Sequence, residues 1–531
     1  MGPSLIPNLD ANLTEGGTSM SNERKVGSVT YRDVDQRYFE QRGLKRHAGV
    51  WMLWALGVAA VISGDFSGWN FGLDVGGFGG LFIATIVITI MYVGLCYSIA
   101  EMSPALPHTG GAYSFSRSAM GPWGGFITGL AENIEYVVTP VVVVYFASIY
   151  AQSVFNDLFG IELGLPWWWL IFYAVFVGLN IIGIEATMRF SVAICLISLA
   201  VLAVFFVLAI PNFDAANLTN IDADAGGTSF LPFGIGGIFA ALPFAIWFYL
   251  AIEELPLAAE ESMDPKRDVP RGTMWGLWTL VITGMGVLFL NTGVNGAEEI
   301  RVSGEPLLDG FRAILGTESA AILGLFALTG LIASFHTIIY AYGRNIYSLS
   351  RAGYFPHWMS ITHGKRKTPW VALLLGAVVG YALAFLLDSQ YEGTAGAALL
   401  SMAVFGAVIS YFMQMLAFIR LRSKMPNIER PFRSPVGVAG AAVAGVIALV
   451  ALIALFLNDA YLPGVYGVAI WFVLGLLYFG LSGRNKLVLS PEEEFALTRG
   501  EHGHPEAEGY GTTKVAQTAA SDESTTGSPP S

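Results

Sequence analysis

The stretch VWMLWALGVAAVISGDFSGWNFGL (Val50–Leu73) decides the fold. It is long and apolar enough to cross a bilayer, which takes about 20 mostly apolar residues. Its middle, ISGDFSG (Ile62–Gly68), holds two glycines, two serines and an aspartate. Such residues favour a break in a helix, and Asp65 puts an acid at membrane depth. A second break is read at AIWFYLAIEELP (Ala245–Pro256), which carries Glu253, Glu254 and a proline.

Working outward, the 531 residues are 54% hydrophobic and only 13% charged, where soluble domains carry roughly 25% charge. A soluble enzyme is excluded, and an all-α integral membrane protein is expected. Twelve spans are read: 49–73, 79–101, 122–155, 166–184, 189–210, 231–255, 271–294, 319–346, 369–387, 396–420, 436–457 and 463–482. A polar arm (1–48) precedes them, with no short apolar run and cleavage site, so the first span is expected to direct insertion. A polar tail (483–531), ending TKVAQTAASDESTTGSPPS, follows and is expected to be disordered in the cytoplasm.

The basic residues fit this count. All of the 28 Lys and Arg except Arg301 and Arg312 fall in the arm, the tail or the loops after even-numbered spans. By the positive-inside rule both termini are cytoplasmic, in a cytoplasmic (inner) membrane. The two breaks fall in spans 1 and 6. An offset of five, an odd number, inverts the second unit relative to the first. Interrupted helices in matching positions of inverted repeats point to a transporter's binding site.

The deep acids are Asp65, Glu132, Glu135, Glu253 and Glu254, and no Lys or Arg is read deep in any span to pair with them. An acid-rich, base-poor interior suits a cation, either a substrate ammonium or a proton. Asp65 is read as an ammonium ligand or as an N-cap of the second half-helix. Glu132 and Glu135 lie on one helix face, where repulsion would keep one protonated. Trp247 is a lid over a small cation or a packing residue. Glu253 is a coupling acid or a brace for the break. His336 is a proton relay or a bonded core histidine. Cys96 and Cys195 match no disulfide framework or metal spacing, and no nucleotide fingerprint is present, so no cofactor, metal or nucleic-acid partner is expected.

Several blocks carry a family likeness: AEMSPALPHTGGAYSFSRSAMGPWGGFITG (100–129), EESMDPKRDVPRG (260–272), SFHTIIYAYGRNIYSLSRAGYFP (334–356), TPWVALLL (368–375) and RPFRSP (430–435). In this order they resemble the amino acid–polyamine–organocation superfamily. The finer match, around GDFSGWNFGL and CYSIAEMSPALPHTGGAYSFSRSAM, resembles its ethanolamine permeases. The resemblance implies two inverted five-span repeats (49–210 and 231–420) with two additional spans (436–482). It implies a substrate held between broken spans 1 and 6 and spans 3 and 8.

In amino-acid-transporting relatives the span 1 break reads Gly-Ser-Gly, and its amides hold the substrate carboxylate. Here the positions are Ile62, Ser63 and Gly64, followed by Asp65. A branched residue and an added anion disfavour a carboxylate and leave an ammonium unopposed. The resemblance also aligns Trp247 with a gating aromatic and Glu135 with a site-lining position. It implies ethanolamine import by alternating access with a proton or another coupling ion. Asp65 and Glu135 would then bind the ammonium, Ser63 and Gly64 would add contacts, Trp247 would close the site, and Glu132, Glu253 or His336 would couple or gate. The rival readings are a permease for another amine or for amino acids, and a membrane receptor for such a ligand. An enzyme is not expected, because no nucleophile–base pair or metal cluster is read.

Overall fold

A computed structural model describes residues 23–32, 34, 36–390, 395–456 and 462–501. Among these, eleven helices are long and apolar enough to cross a membrane. The broken first span, with its shorter apolar run Val50–Phe66, makes the twelfth.

Span 1 consists of α1 (Val50–Val61) and the single turn α2 (Ser63–Phe66). It continues into the start of α3 (Phe71–Ala105), which kinks at Gly77 and then forms span 2. Gly77 takes φ +63°, and an added Cβ would meet Pro232 at 2.3 Å, so this corner requires glycine. A short amphipathic helix, α4 (Gly111–Met120), leads into α5 (Pro122–Phe159), the long third span. Next come α6 (Leu165–Ile182) and α7 (Ile184–Ala209). Span 6 is α8 (Gly234–Trp247), a non-helical turn, and a 3-10 run over Ile252–Glu261. Then follow α9 (Pro265–Asn295), the short α10 (Pro306–Leu315), α11 (Thr317–Arg351), α12 (Trp370–Gln390), α13 (Ala395–Lys424), α14 (Gly437–Phe456) and α15 (Leu462–Leu481).

The packing has the symmetry that the two breaks imply. Span 2 (α3) lies along span 6 (α8), and span 7 (α9) lies along span 1 (α1). Span 3 (α5) lies along span 10 (α13), and span 8 (α11) lies along span 5 (α7). Each pairing becomes the other when every span is shifted by five. Spans 3 and 8 also pack along each other at the centre. Outward-facing Val, Ile, Leu and Phe, such as Val207, Ile282 and Val378, coat the exterior as a bilayer demands.

The tail departs from expectation at its start. Leu487–Val488 is a strand, β3, and Pro491–Thr498 is a helix, α16. Two strands of the arm, β1 (Glu23–Val26) and β2 (Val29–Arg32), form an antiparallel hairpin. β3 pairs in parallel with β2, opposing Leu487 to Tyr31 and Val488 to Arg32. Arm and tail thus fold together over one end of the bundle. The remainder of the tail, where disorder is expected, lies outside the described residues.

Candidate functional site

The two breaks interlock. In span 1 the helical ladder ends with the Ile62 amide donating to Val58. A tight turn follows, in which the Asp65 amide donates to the Ile62 carbonyl (3.0 Å) and the Ser67 amide to the Ser63 carbonyl (3.0 Å). Ser67 is extended and Gly68 has φ +93°, so the chain leaves the helix there. Span 6 stops at Trp247. Its indole donates to the Ser67 carbonyl (3.0 Å). A Cβ on Gly64 would lie 2.4 Å from the Trp247 carbonyl oxygen. Backbone therefore meets backbone at this point, and only glycine allows it.

Four predicted residues converge here: Ser63, Gly64, Asp65 and Trp247, all buried. Ser63 Oγ donates to Ser334 Oγ of α11 (2.9 Å), and Ser334 in turn bonds the Ala60 carbonyl. Residues two apart on a helical turn point to nearly opposite sides. Asp65 accordingly faces α9, beside Thr283, whose hydroxyl donates to the Leu280 carbonyl. The Asp65 carboxyl is 1% exposed; the Thr283 hydroxyl is the polar side chain beside it, and among the described residues no basic side chain pairs with it. It caps no helix.

A second group forms around the span 6 break. Ala251 holds φ +85°, a left-handed conformation that costs a non-glycine residue about 1–2 kcal/mol. Glu253 supports it: Oε1 accepts the Ala251 amide (3.2 Å). The Glu253 carboxyl also meets that of Glu135 on α5. Tyr411 of α13 donates to Glu135 Oε1 (3.1 Å), and Tyr92 of α3 donates to Tyr411 (2.9 Å). Glu135 is therefore placed with Glu253 and Tyr411. Glu132 accepts a long contact from Asn345 (3.5 Å) and is faced by Tyr136 and the Tyr113 backbone, and neither oxygen of buried Glu254 has a partner among the described residues. A row of tyrosines runs from this group towards Asp65. Tyr92 packs on Tyr249 with centroids 5.1 Å apart, and Tyr249 shares a 2.7 Å bond with Thr89 and lies near Asp65.

His336 stands apart from both groups. Its Nδ1 meets Asn180 Nδ2 (3.1 Å), and Phe176 and Phe190 enclose the ring.

Ties cross the bundle at both ends. At one end Asn70 of span 1 donates to the carbonyls of Ile300 (2.6 Å) and Ser303 (2.8 Å), and Arg301 pairs with Asp74 (2.6 Å). At the end carrying arm and tail, Glu261 of span 6 holds Arg344 of α11 (2.9 Å). One turn-pair further, Arg351 grips Glu260 (2.9 Å) and Glu492 of α16 (3.0 Å). Glu493 gathers Arg117 of α4 (2.6 Å) and the hydroxyls of Tyr31 (2.6 Å), Tyr113 (3.1 Å) and Tyr354 (2.9 Å). Glu492 and Glu493 are fully buried. Burial and the Glu493 carboxylate push the Tyr31 and Tyr354 hydroxyls well above the usual phenol range, so both remain donors.

The sequence reading missed these pairs. It ended span 8 at 346, short of Arg351, whereas α11 runs on to Arg351. Their spacing of seven places both on one helix face, opposite adjacent Glu260 and Glu261, and that was the available signal. Tyr411 and Tyr92 carried none, because a tyrosine in an apolar run reads as packing.

Residues 49–486 match the family model described as amino acid permease. The chain belongs to the amino acid permease family. It is 28% identical over 403 residues to an uncharacterized transporter of Rhizobium meliloti (strain 1021), covering 74% of this chain and 83% of that one. It is 24% identical to the branched-chain amino acid permease BcaP of Bacillus subtilis (strain 168), covering 84% and 94%. With the gamma-aminobutyric acid permease of Escherichia coli (strain K12) it shares 27% identity, covering 58% and 68%. This family member is thus a multi-pass membrane transporter of small molecules and not an enzyme.

Proposed function

We propose that this permease imports a small primary amine, ethanolamine, across the cytoplasmic membrane by alternating access coupled to a proton, with both termini in the cytoplasm. One observation carries the reading: the Asp65 carboxyl lies buried in the span 1 break with the Thr283 hydroxyl beside it and no basic partner among the described residues. An ionised carboxylate enclosed in this way is costly until a cation reaches it. A primary ammonium supplies three donors and the opposite charge. Carbonyls freed by the two breaks can accept the remaining hydrogens, and Ser63 can bond a hydroxyl. A substrate carboxylate would sit beside Asp65 and be repelled. A cycle then needs the ammonium to bind Asp65 with different strength in the outward and inward states.

The substrates for which two relatives are named favour a second reading, a permease for amino acids. Uptake of labelled ethanolamine into proteoliposomes under an inward proton gradient separates the two. Saturable uptake displaced by unlabelled ethanolamine and not by alanine, lysine or putrescine is expected. Uptake of alanine in place of ethanolamine would replace the substrate and leave the family assignment standing.

A further inference from the structure

We propose that Glu135 and Glu253 share one proton, and that this proton is the clasp joining the span 6 break to spans 3 and 10. The inference rests on the proton-coupled reading above and locates its coupling site. Two carboxyls that meet in a dry interior attract each other only when a proton lies between them. Here they lie within hydrogen-bonding reach of each other and of the Tyr411 hydroxyl, and Glu135 Oε2 and Glu253 Oε2 are the oxygens open to the shared proton. The other two oxygens are engaged structurally. Glu135 Oε1 is held by Tyr411, and Glu253 Oε1 holds the strained Ala251 amide. The shared proton therefore ties three elements together: α5, α13 through Tyr411, and the hinge of span 6.

The surroundings make the pair sensitive to its proton. Cys96 and Tyr92 of α3, Glu132 and Tyr136 of α5, Glu254 of the 3-10 run and Tyr411 face the pair. None of these is a cation. Arg344 is the nearby positive charge, and Glu261 already engages it in two hydrogen bonds. With its proton the pair carries one negative charge. When that proton leaves to water the pair carries two, and repulsion pushes Glu253 off Glu135. Ala251 then loses its support and the left-handed turn can relax. Proton loss thereby becomes hinge motion in the span that also carries Trp247, whose carbonyl contacts Gly64 beside Asp65.

The test uses the full-length protein, with Glu135→Gln and Glu253→Gln made separately. Glutamine keeps an acceptor for the Tyr411 hydroxyl or the Ala251 amide and removes the exchangeable carboxyl proton. Infrared difference spectra of substrate-free protein, recorded across a pH titration, should show a protonated-carboxyl band that is lost in either variant. In proteoliposomes, proton-driven accumulation of ethanolamine by Glu253→Gln should fall roughly tenfold or more, while exchange of external for internal ethanolamine stays within about twofold. A band unchanged in both variants would overturn the proposal, as would normal proton-driven accumulation. If the wild type moves no ethanolamine, the substrate reading fails and the infrared result alone decides the shared proton.

Discussion

Gly64 and Asp65 are neighbours with opposite kinds of legibility. Asp65 stood out in the sequence because an acid in an apolar run is expensive. Whether it capped a helix or awaited a ligand was not legible, since both roles use the same residue type; only the atomic surroundings show that its oxygens cap nothing. Gly64 looked like a generic break residue, and its requirement comes from the Trp247 carbonyl, 183 positions away in the chain and absent from any local pattern. Gly64→Ala is expected to force the breaks apart at a cost of roughly 1–3 kcal/mol, seen as a lower thermal unfolding midpoint in detergent. Gly178→Ala, where a Cβ meets nothing within 4 Å, is the control for adding a methyl group in open space.

Among the elements, the spans were legible because hydropathy and length suffice to find a membrane helix. Their ends were not. α11 continues through Arg344 and Arg351, whose charges lower the local hydropathy although Glu261 and Glu260 bury them. The break of span 6 was visible from its acids and proline, but its left-handed turn at Ala251 was not, because nothing about alanine announces a positive φ. Ala251→Gly should relieve that strain and raise stability by about 1 kcal/mol. Ala251→Val should lower it, because a β-branched side chain tolerates the conformation poorly. Thermal unfolding of both variants beside the wild type checks the order Gly, Ala, Val.

Over the whole molecule, the proposed alternating-access cycle would part span 6 from span 8 at the end that carries arm and tail. Arg351 is the central tie there, since it holds Glu260 and Glu492 together. The sequence could not show this tie, because its acids lie 91 and 141 positions from the arginine and the tail's composition suggests solvated chain. Arg351→Ala removes the shared arginine from two buried carboxylates and should cost roughly 3–5 kcal/mol, with Arg351→Lys recovering part of it. Glu493→Gln weakens the neighbouring tie to Arg117 more gently and should widen that end. Spin labels on α16 and on the end of α11, in a background with Cys96 and Cys195 replaced, should report a larger share of long distances than in the parent. An unchanged distance distribution would mean that α16 does not restrain the opening.

The central claim is that the Asp65 carboxylate is the counter-charge for a substrate ammonium. Equilibrium binding of labelled ethanolamine to purified wild type and to Asp65→Asn, with folding verified by matching unfolding midpoints, tests it most directly. The account predicts saturable binding to the wild type and a loss of affinity on the order of a hundredfold in the variant. Equal affinity in the two proteins would contradict it.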